Sequence, residues 1–188
     1  MKQTLGDAMK KTLALIEELN PDSQYLTDDP DIRAKIRYVV NQVQFELARM
    51  KKIPAYVEMA VQAGDVLRLA DIAEQCGREV YQLGTVCGVR FSPKAGGTVL
   101  KIGETGTAQI DCFVYPAPIT AESPDSQELD LSADALEILP YGVAADLLKS
   151  DVSAEYGSIY AKRYETMLQR LDPRYAMASI FIEGGVEI

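Results

Sequence analysis

Apolar residues recur at intervals of three and four from Leu5 through Met9, Leu13 and Ile16 to Leu19, which predicts a first helix ended by Asn20-Pro21. A second helix is announced by Asp29-Pro30-Asp31, an acceptor placed to cap amides followed by proline at the first helical position. Its stripe runs Ile32, Ile36, Val39, Val40, Val43, Leu47, Met50. The acids Asp28, Asp29 and Asp31 read as capping and dipole partners of that helix start rather than as a cation site.

After Ile53-Pro54 the helical period fades. Eight of the 13 glycines lie between Gly64 and Gly106, and short β-prone runs predict strands at 56–61, 85–91, 98–102 and 108–115. Gly103-Glu104-Thr105-Gly106 reads as the loop of an antiparallel hairpin, Leu67 to Gln75 as a short helix, and the polar, proline-bearing stretch from Pro116 to Gln127 as an exit linker. Helical spacing returns behind Ser132, a candidate N-cap, with Leu136, Leu139, Val143, Ala144, Leu147 and Leu148 on one face. Pro140 inside this stretch predicts a kink, or two helices meeting there. A last helix begins near Asp151 and carries Val152, Tyr156, Ile159, Tyr160, Met167, Leu168 and Leu171 as its expected core face, ending at Asp172-Pro173.

The tail Ala176 to Ile188 contains Ile180-Phe181-Ile182 and reads as a strand. Burying its four large apolar side chains is worth roughly 6 to 12 kcal/mol, and fixing its backbone costs a similar ~7 to 14 kcal/mol. Such a segment is ordered by joining a sheet of its own chain or of a neighbour, and otherwise frays. The pattern as a whole predicts an α+β protein: a helical unit at 1–52 and 128–172, an inserted antiparallel β unit at 53–127, and a tail strand at 173–188.

Composition narrows the chemistry. The 188 residues carry 19 Lys and Arg against 28 Asp and Glu, a net charge of -9, which opposes autonomous binding to nucleic-acid phosphates. With no histidine, His-based triads, imidazole bases and imidazole zinc sites are excluded. Cys76, Cys87 and Cys112 have no CxxC spacing and predict free thiols in a reducing compartment. Phosphate-loop, nucleophile-elbow, zincin and dinucleotide signatures do not occur, and no apolar run approaches the ~18 residues of a membrane span. The expectation is a protein without catalytic, cofactor or metal residues, neither exported by a visible signal nor embedded in a membrane. Residues 1–52 hold nine basic and eight acidic side chains, whereas 128–188 hold five and eleven. Arg33 and Arg37, one turn apart, and Lys51 at the helix end are candidate interface cations for an acidic partner surface, with a plain solvated face as the alternative; Ile180, Phe181 and Ile182 are the apolar candidates.

The order of two helices, a β insert and two further helices resembles the small head-to-tail connector proteins of tailed bacteriophages and prophages. Two stretches carry the resemblance. One is the helix from Ile32 to Lys52, ending Gln44-Phe45-Glu46-Leu47-Ala48-Arg49-Met50-Lys51-Lys52-Ile53. The other runs from Ala135 to Leu148 and looks like the Leu-Pro-Tyr helix of that family, here Leu139-Pro140-Tyr141, followed by a Tyr-rich helix. The resemblance implies a four-helix connector-like unit and a structural role as a DNA-packaging adaptor. Copies would form a homo-oligomeric ring beneath the portal, contacting portal and tail or neck proteins, with DNA only as passing cargo. Location would be the virion, assembled in the bacterial host cytoplasm. The alternative is a ligand-binding module in which the β insert recognises carbohydrate.

Overall fold

The computed structural model describes residues 3–19, 27–149 and 154–171. The protein is α+β and has two compact units, one built from the described residues of 3–51 and 116–171, the other from 52–115. The expected tail strand at 173–188, with Ile180, Phe181 and Ile182, lies outside the described residues.

The first unit holds α1 (Leu5–Leu15), α2 (Pro30–Met50), α4 (Ala133–Leu147) and α5 (Ala154–Leu168). Helix α1 starts at a reciprocal cap: Asp7 N donates to Thr4 Oγ1 (3.2 Å) and Thr4 N to Asp7 Oδ2 (3.1 Å), which holds the Asp7 carboxyl below its usual range. It stops at Leu15, short of the expected Leu19, where Glu17 enters the left-handed region at φ 61° and Glu18 N reaches back to Leu13 O. Leu19 is consequently exposed. Helix α2 is capped as expected by Asp29, whose Oδ1 accepts from the amides of Asp31 (2.8 Å) and Ile32 (3.2 Å). Its stripe is buried from Ile36 to Leu47, while Met50 at its end is exposed. Helix α4 begins at Ser132 and runs through Pro140 as one element, so the two-helix alternative is overturned; only the amide bond to Leu136 is forgone.

Residues 116–127 are not an exit linker of the β unit. Gln127 O and Asp125 O accept from the amides of Leu5 and Gly6 (both 2.8 Å), groups that the first turn of a helix cannot satisfy itself. Ile119 and Leu129 enter the helical core beside Leu5, Leu13, Val40, Leu47 and Leu139. Asn41 and the fully buried Gln44 fix this segment from α2, through Ile119 N to Asn41 Oδ1 (2.8 Å) and Gln44 Nε2 to Ala117 O (3.0 Å).

Six strands and a short helix make the second unit: β1 (Ile53–Val61), β2 (Val66–Arg68), α3 (Leu69–Cys76), β3 (Val80–Cys87), β4 (Phe91–Lys94), β5 (Val99–Ile102) and β6 (Gly106–Val114). They form two three-stranded antiparallel sheets, ordered β1-β6-β3 and β2-β5-β4. Both contribute to one core with Ile72 of α3, including Val57, Leu100, Ile110 and Val114. Two strand expectations are corrected. The run 85–91 is broken at Gly88, separating β3 from β4, and the segment 103–105 is a crossover between sheets, not a hairpin loop. Glu104 holds that crossover: its carboxylate accepts from Arg90 N (2.9 Å) and Arg90 Nε (2.8 Å), and the Arg90 contacts keep it ionised below its usual range. Thr105 Oγ1 accepts from Ala63 N (3.1 Å) on the other side.

Candidate interaction surfaces

The candidate cations of α2 are engaged within their own unit. Arg33 donates through Nε and Nη2 to Thr27 O (3.2 and 2.6 Å), closing the turn before the helix. Arg37 donates to Ser123 O and, through Nη2, to Asp125 Oδ1 at 2.6 Å, clasping the 116–127 segment. Lys51 Nζ lies 3.5 Å from Asp134 Oδ2 at the start of α4. The structure thus gives each of the three a separate partner and does not gather them into one patch. Bonds to partly buried carbonyls, as at Arg33 and Arg37, restrict the side chain more than a solvated ion pair does.

Helix α5 presents what the sequence reading missed. Its buried face is Gly157 and Tyr164, with Tyr160 half-buried and Met167 and Leu168 packed against the helical core as expected, followed by the buried Leu171 beyond the helix end, whereas Tyr156 (65% exposed) and Ile159 (58%) point to solvent, against expectation. The rotation follows from Gly157: a Cβ there would stand 3.2 Å from both Cβ and O of Leu148, so the bare backbone sets the line of approach. Tyr160 then donates to Leu15 O, and Tyr164 to Glu46 Oε2 at 3.0 Å. Burial, and next the Glu46 charge, drive the Tyr164 hydroxyl far above its ordinary range, so it stays a neutral donor.

The outward side of α5 carries Tyr156, Ile159 and Arg163 at helical spacing, a strip apolar at its start and cationic further on, with the exposed Arg170 just beyond its end and Met167 turned in against the core. An open groove of about 440 Å³ lies along it, lined by Ile159, Lys162, Arg163, Thr166, Met167 and Arg170. Arg163 sits over the ring of Tyr141 (4.4 Å), which steadies the guanidinium without neutralising it.

In the second unit the solvent face of β1 and β6 sets Tyr56 beside Glu58, with Asp111 and Gln109 in register across the ladder. Tyr56 donates to Glu58, and that bond is the first cause of a phenol pushed up to about 12. Gln109 Nε2 also reaches Glu58 Oε1 at 3.4 Å. The face is polar and carries one exposed ring, that of Tyr56.

No group of three or more acidic or thiol side chains among the described residues is placed to hold a metal ion, and no described helix is long and apolar enough to cross a membrane. No protein-family model matches the chain, and no curated protein matches it.

Proposed function

We propose that the protein is a structural virion-assembly protein of a tailed phage or prophage, a head-to-tail connector that forms a ring under the portal and acts by binding rather than turnover. The observation that carries this reading is the outward strip of α5. While Gly157, Tyr160 and Tyr164 face inward, Tyr156 and Ile159 stay largely exposed to water among the described residues. The cations beside them suit an acidic neighbour, and the chain itself has a net charge of -9, so a second copy supplies the complementary field. Contacts of this head-to-tail kind close into rings when the rotation permits. The helix order and the Leu139-Pro140-Tyr141 segment support the same assignment, with portal and tail or neck proteins as the further partners and DNA passing through.

Electron microscopy and native mass measurement of the full chain, alone and mixed with a portal protein, test the reading. Rings in either sample are expected, and Ile159→Asp should lower the assembled fraction at least about tenfold, equivalent to roughly 1.4 kcal/mol per contact, with unchanged melting temperature. Monomers in both samples of the unmodified chain would overturn it.

A second reading rests on Tyr56. An exposed ring flanked by Glu58, Gln109 and Asp111 is chemically suited to stack on a sugar face and bond its hydroxyls. The expected result is glycan-array binding by the full chain that falls at least about tenfold in Tyr56→Ala, a loss typical of one aromatic anchor. Equal signals from the two proteins would dismiss this face.

A further inference from the structure

The two sheets of the second unit share one core, and the faces they turn away from it carry opposite charge. In the β2-β5-β4 sheet Leu67, Leu100 and Ile102 are buried, and strand alternation sends Val66, Arg68, Ser92, Lys94, Val99 and Lys101 to the other side. Pairing sets these six in two rows. Lys101 stands between Val66 and Ser92, and Val99 between Arg68 and Lys94, so Lys101 is the diagonal neighbour of both other cations, at roughly the 7 to 8 Å of such pairs. Three of the six basic side chains in residues 52–115 thus share one face, all of them exposed, and none of its strand positions is acidic. The acids beside the sheet are engaged elsewhere: Asp65 Oδ2 accepts from Gln62 N (2.7 Å), Asp71 Oδ2 from Arg68 N (2.7 Å), and Glu104 binds Arg90. Among the described residues Arg68, Lys94 and Lys101 form no ion pair. Like charges set across a ladder weaken it, and an anionic neighbour relieves them.

The outer face of β1 and β6 has the complementary character. Glu58 and Asp111 are diagonal neighbours on it, with the 55% exposed Tyr56 opposite Asp111 and Gln109 opposite Glu58. A cation, Lys52, stands at its end, 4.6 Å over the Phe113 ring. We propose that the β2-β5-β4 face of one copy docks on the β1-β6 face of the next, a head-to-tail contact between second units. Arg68, Lys94 and Lys101 then face Glu58 and Asp111, a cation covers the Tyr56 ring, and Val66 and Val99 are withdrawn from water between the charges. Nucleic acid is the poorer occupant. Three cations displace the counterions of only about three phosphates, and a uniformly negative strand is repelled by a chain of net charge -9, whereas a second copy offers a defined pair of acids beside an aromatic ring. Because the two faces differ, each bound copy keeps one of each open, and the contact can repeat. Exposed ion pairs contribute little each, which makes this contact weak and salt-sensitive.

The contact depends on neither the portal nor α5, and it competes with the sugar reading for the Tyr56 face. Sedimentation of the full chain carrying Ile159→Asp isolates it, so its failure is read apart from failure of ring formation by the unmodified chain. At about 20 mM salt this chain should associate as its concentration rises, and association should weaken at least about tenfold by about 0.3 M salt. Lys94→Glu/Lys101→Glu and Glu58→Lys/Asp111→Lys should each reduce association at least about tenfold without lowering the melting temperature, because all four side chains lie in solvent. The second pair also makes the chain less negative, so a loss there cannot come from bulk repulsion. Mixing the two variants should restore association, since the reversed faces again complement each other. Monomers up to about 0.5 mM at low salt, or a mixture associating no better than its components, would overturn the proposal. A chain that stays monomeric but binds a DNA duplex, less with Lys94→Glu/Lys101→Glu and more with Glu58→Lys/Asp111→Lys, would overturn it too and assign the cationic face to nucleic acid.

Discussion

Replacing Gly88 by alanine is expected to destabilise the β unit by about 3 kcal/mol or more. Gly88 has φ +84°, a conformation costly for L side chains, and a Cβ on it would stand 2.3 Å from Thr107 O. That oxygen cannot swing aside as a side chain would, because it belongs to β6, the strand paired to both β1 and β3. Relief requires moving Thr107 out of register or unpairing the end of β3, where Cys87 faces Gln109. The entropy that alanine removes from the unfolded chain offsets only about 0.4 to 1 kcal/mol. Gly64 provides the control: at φ +98° with open space around it, Gly64→Ala suffers the backbone strain alone, about 1 to 3 kcal/mol. Denaturant melts followed by hydrogen exchange at Ile110 and Cys112 separate the two. Equal losses at positions 64 and 88 would mean that the Thr107 carbonyl is not the obstacle.

The same glycine marks where sequence reasoning stopped. An apolar run from Thr85 to Phe91 has strand composition throughout, and nothing in its residues says that Gly88 and the left-handed turn divide it between two sheets. Gly103 to Gly106 has the composition of a hairpin loop. What makes it a crossover is long-range: Arg90 bonding Glu104, and Ala63 bonding Thr105. The helices were legible because their signals are local, Asp29 and Ser132 capping within three residues and Leu or Val repeating along one face. Their limits and phase were less so. The end of α1 depends on Glu17 adopting a positive φ, and the buried side of α5 is chosen by two residues with little hydrophobic signal, Gly157 and Tyr164. The candidate interface cations shared that blindness: Arg37 is as basic in the sequence as any exposed arginine, yet its partners Ser123 and Asp125 lie more than 80 residues on. The outward strip of α5, which carries the assembly reading, emerges only once that phase is known.

Gly142→Val should therefore disturb stability and assembly together. Gly142 sits mid-way along α4, where α2 and α5 both come close: a Cβ there would lie 2.9 Å from Val43 Cγ1 and 2.7 Å from Tyr164 Cε2. Neither neighbour has room to yield. Val43 is 3% exposed within the α2 stripe, and Tyr164 is held at its far end by Glu46. Valine at 142 consequently forces α5 outward and withdraws a buried hydroxyl from its carboxylate partner, for a loss of about 3 kcal/mol or more, against a few tenths regained from helix propensity. Thermal or denaturant unfolding measures the loss. Because the displaced helix is the one bearing Tyr156 and Ile159, the folded fraction of Gly142→Val should also assemble poorly, which a purely internal role for α5 would not produce. Pairing the change with Tyr164→Leu, which frees the space beside position 142, should recover at least about 1 kcal/mol relative to the sum of the single losses, the signature of two residues competing for one volume. Additive losses in that cycle would show that the Tyr164 ring is not what closes the gap between α4 and α5.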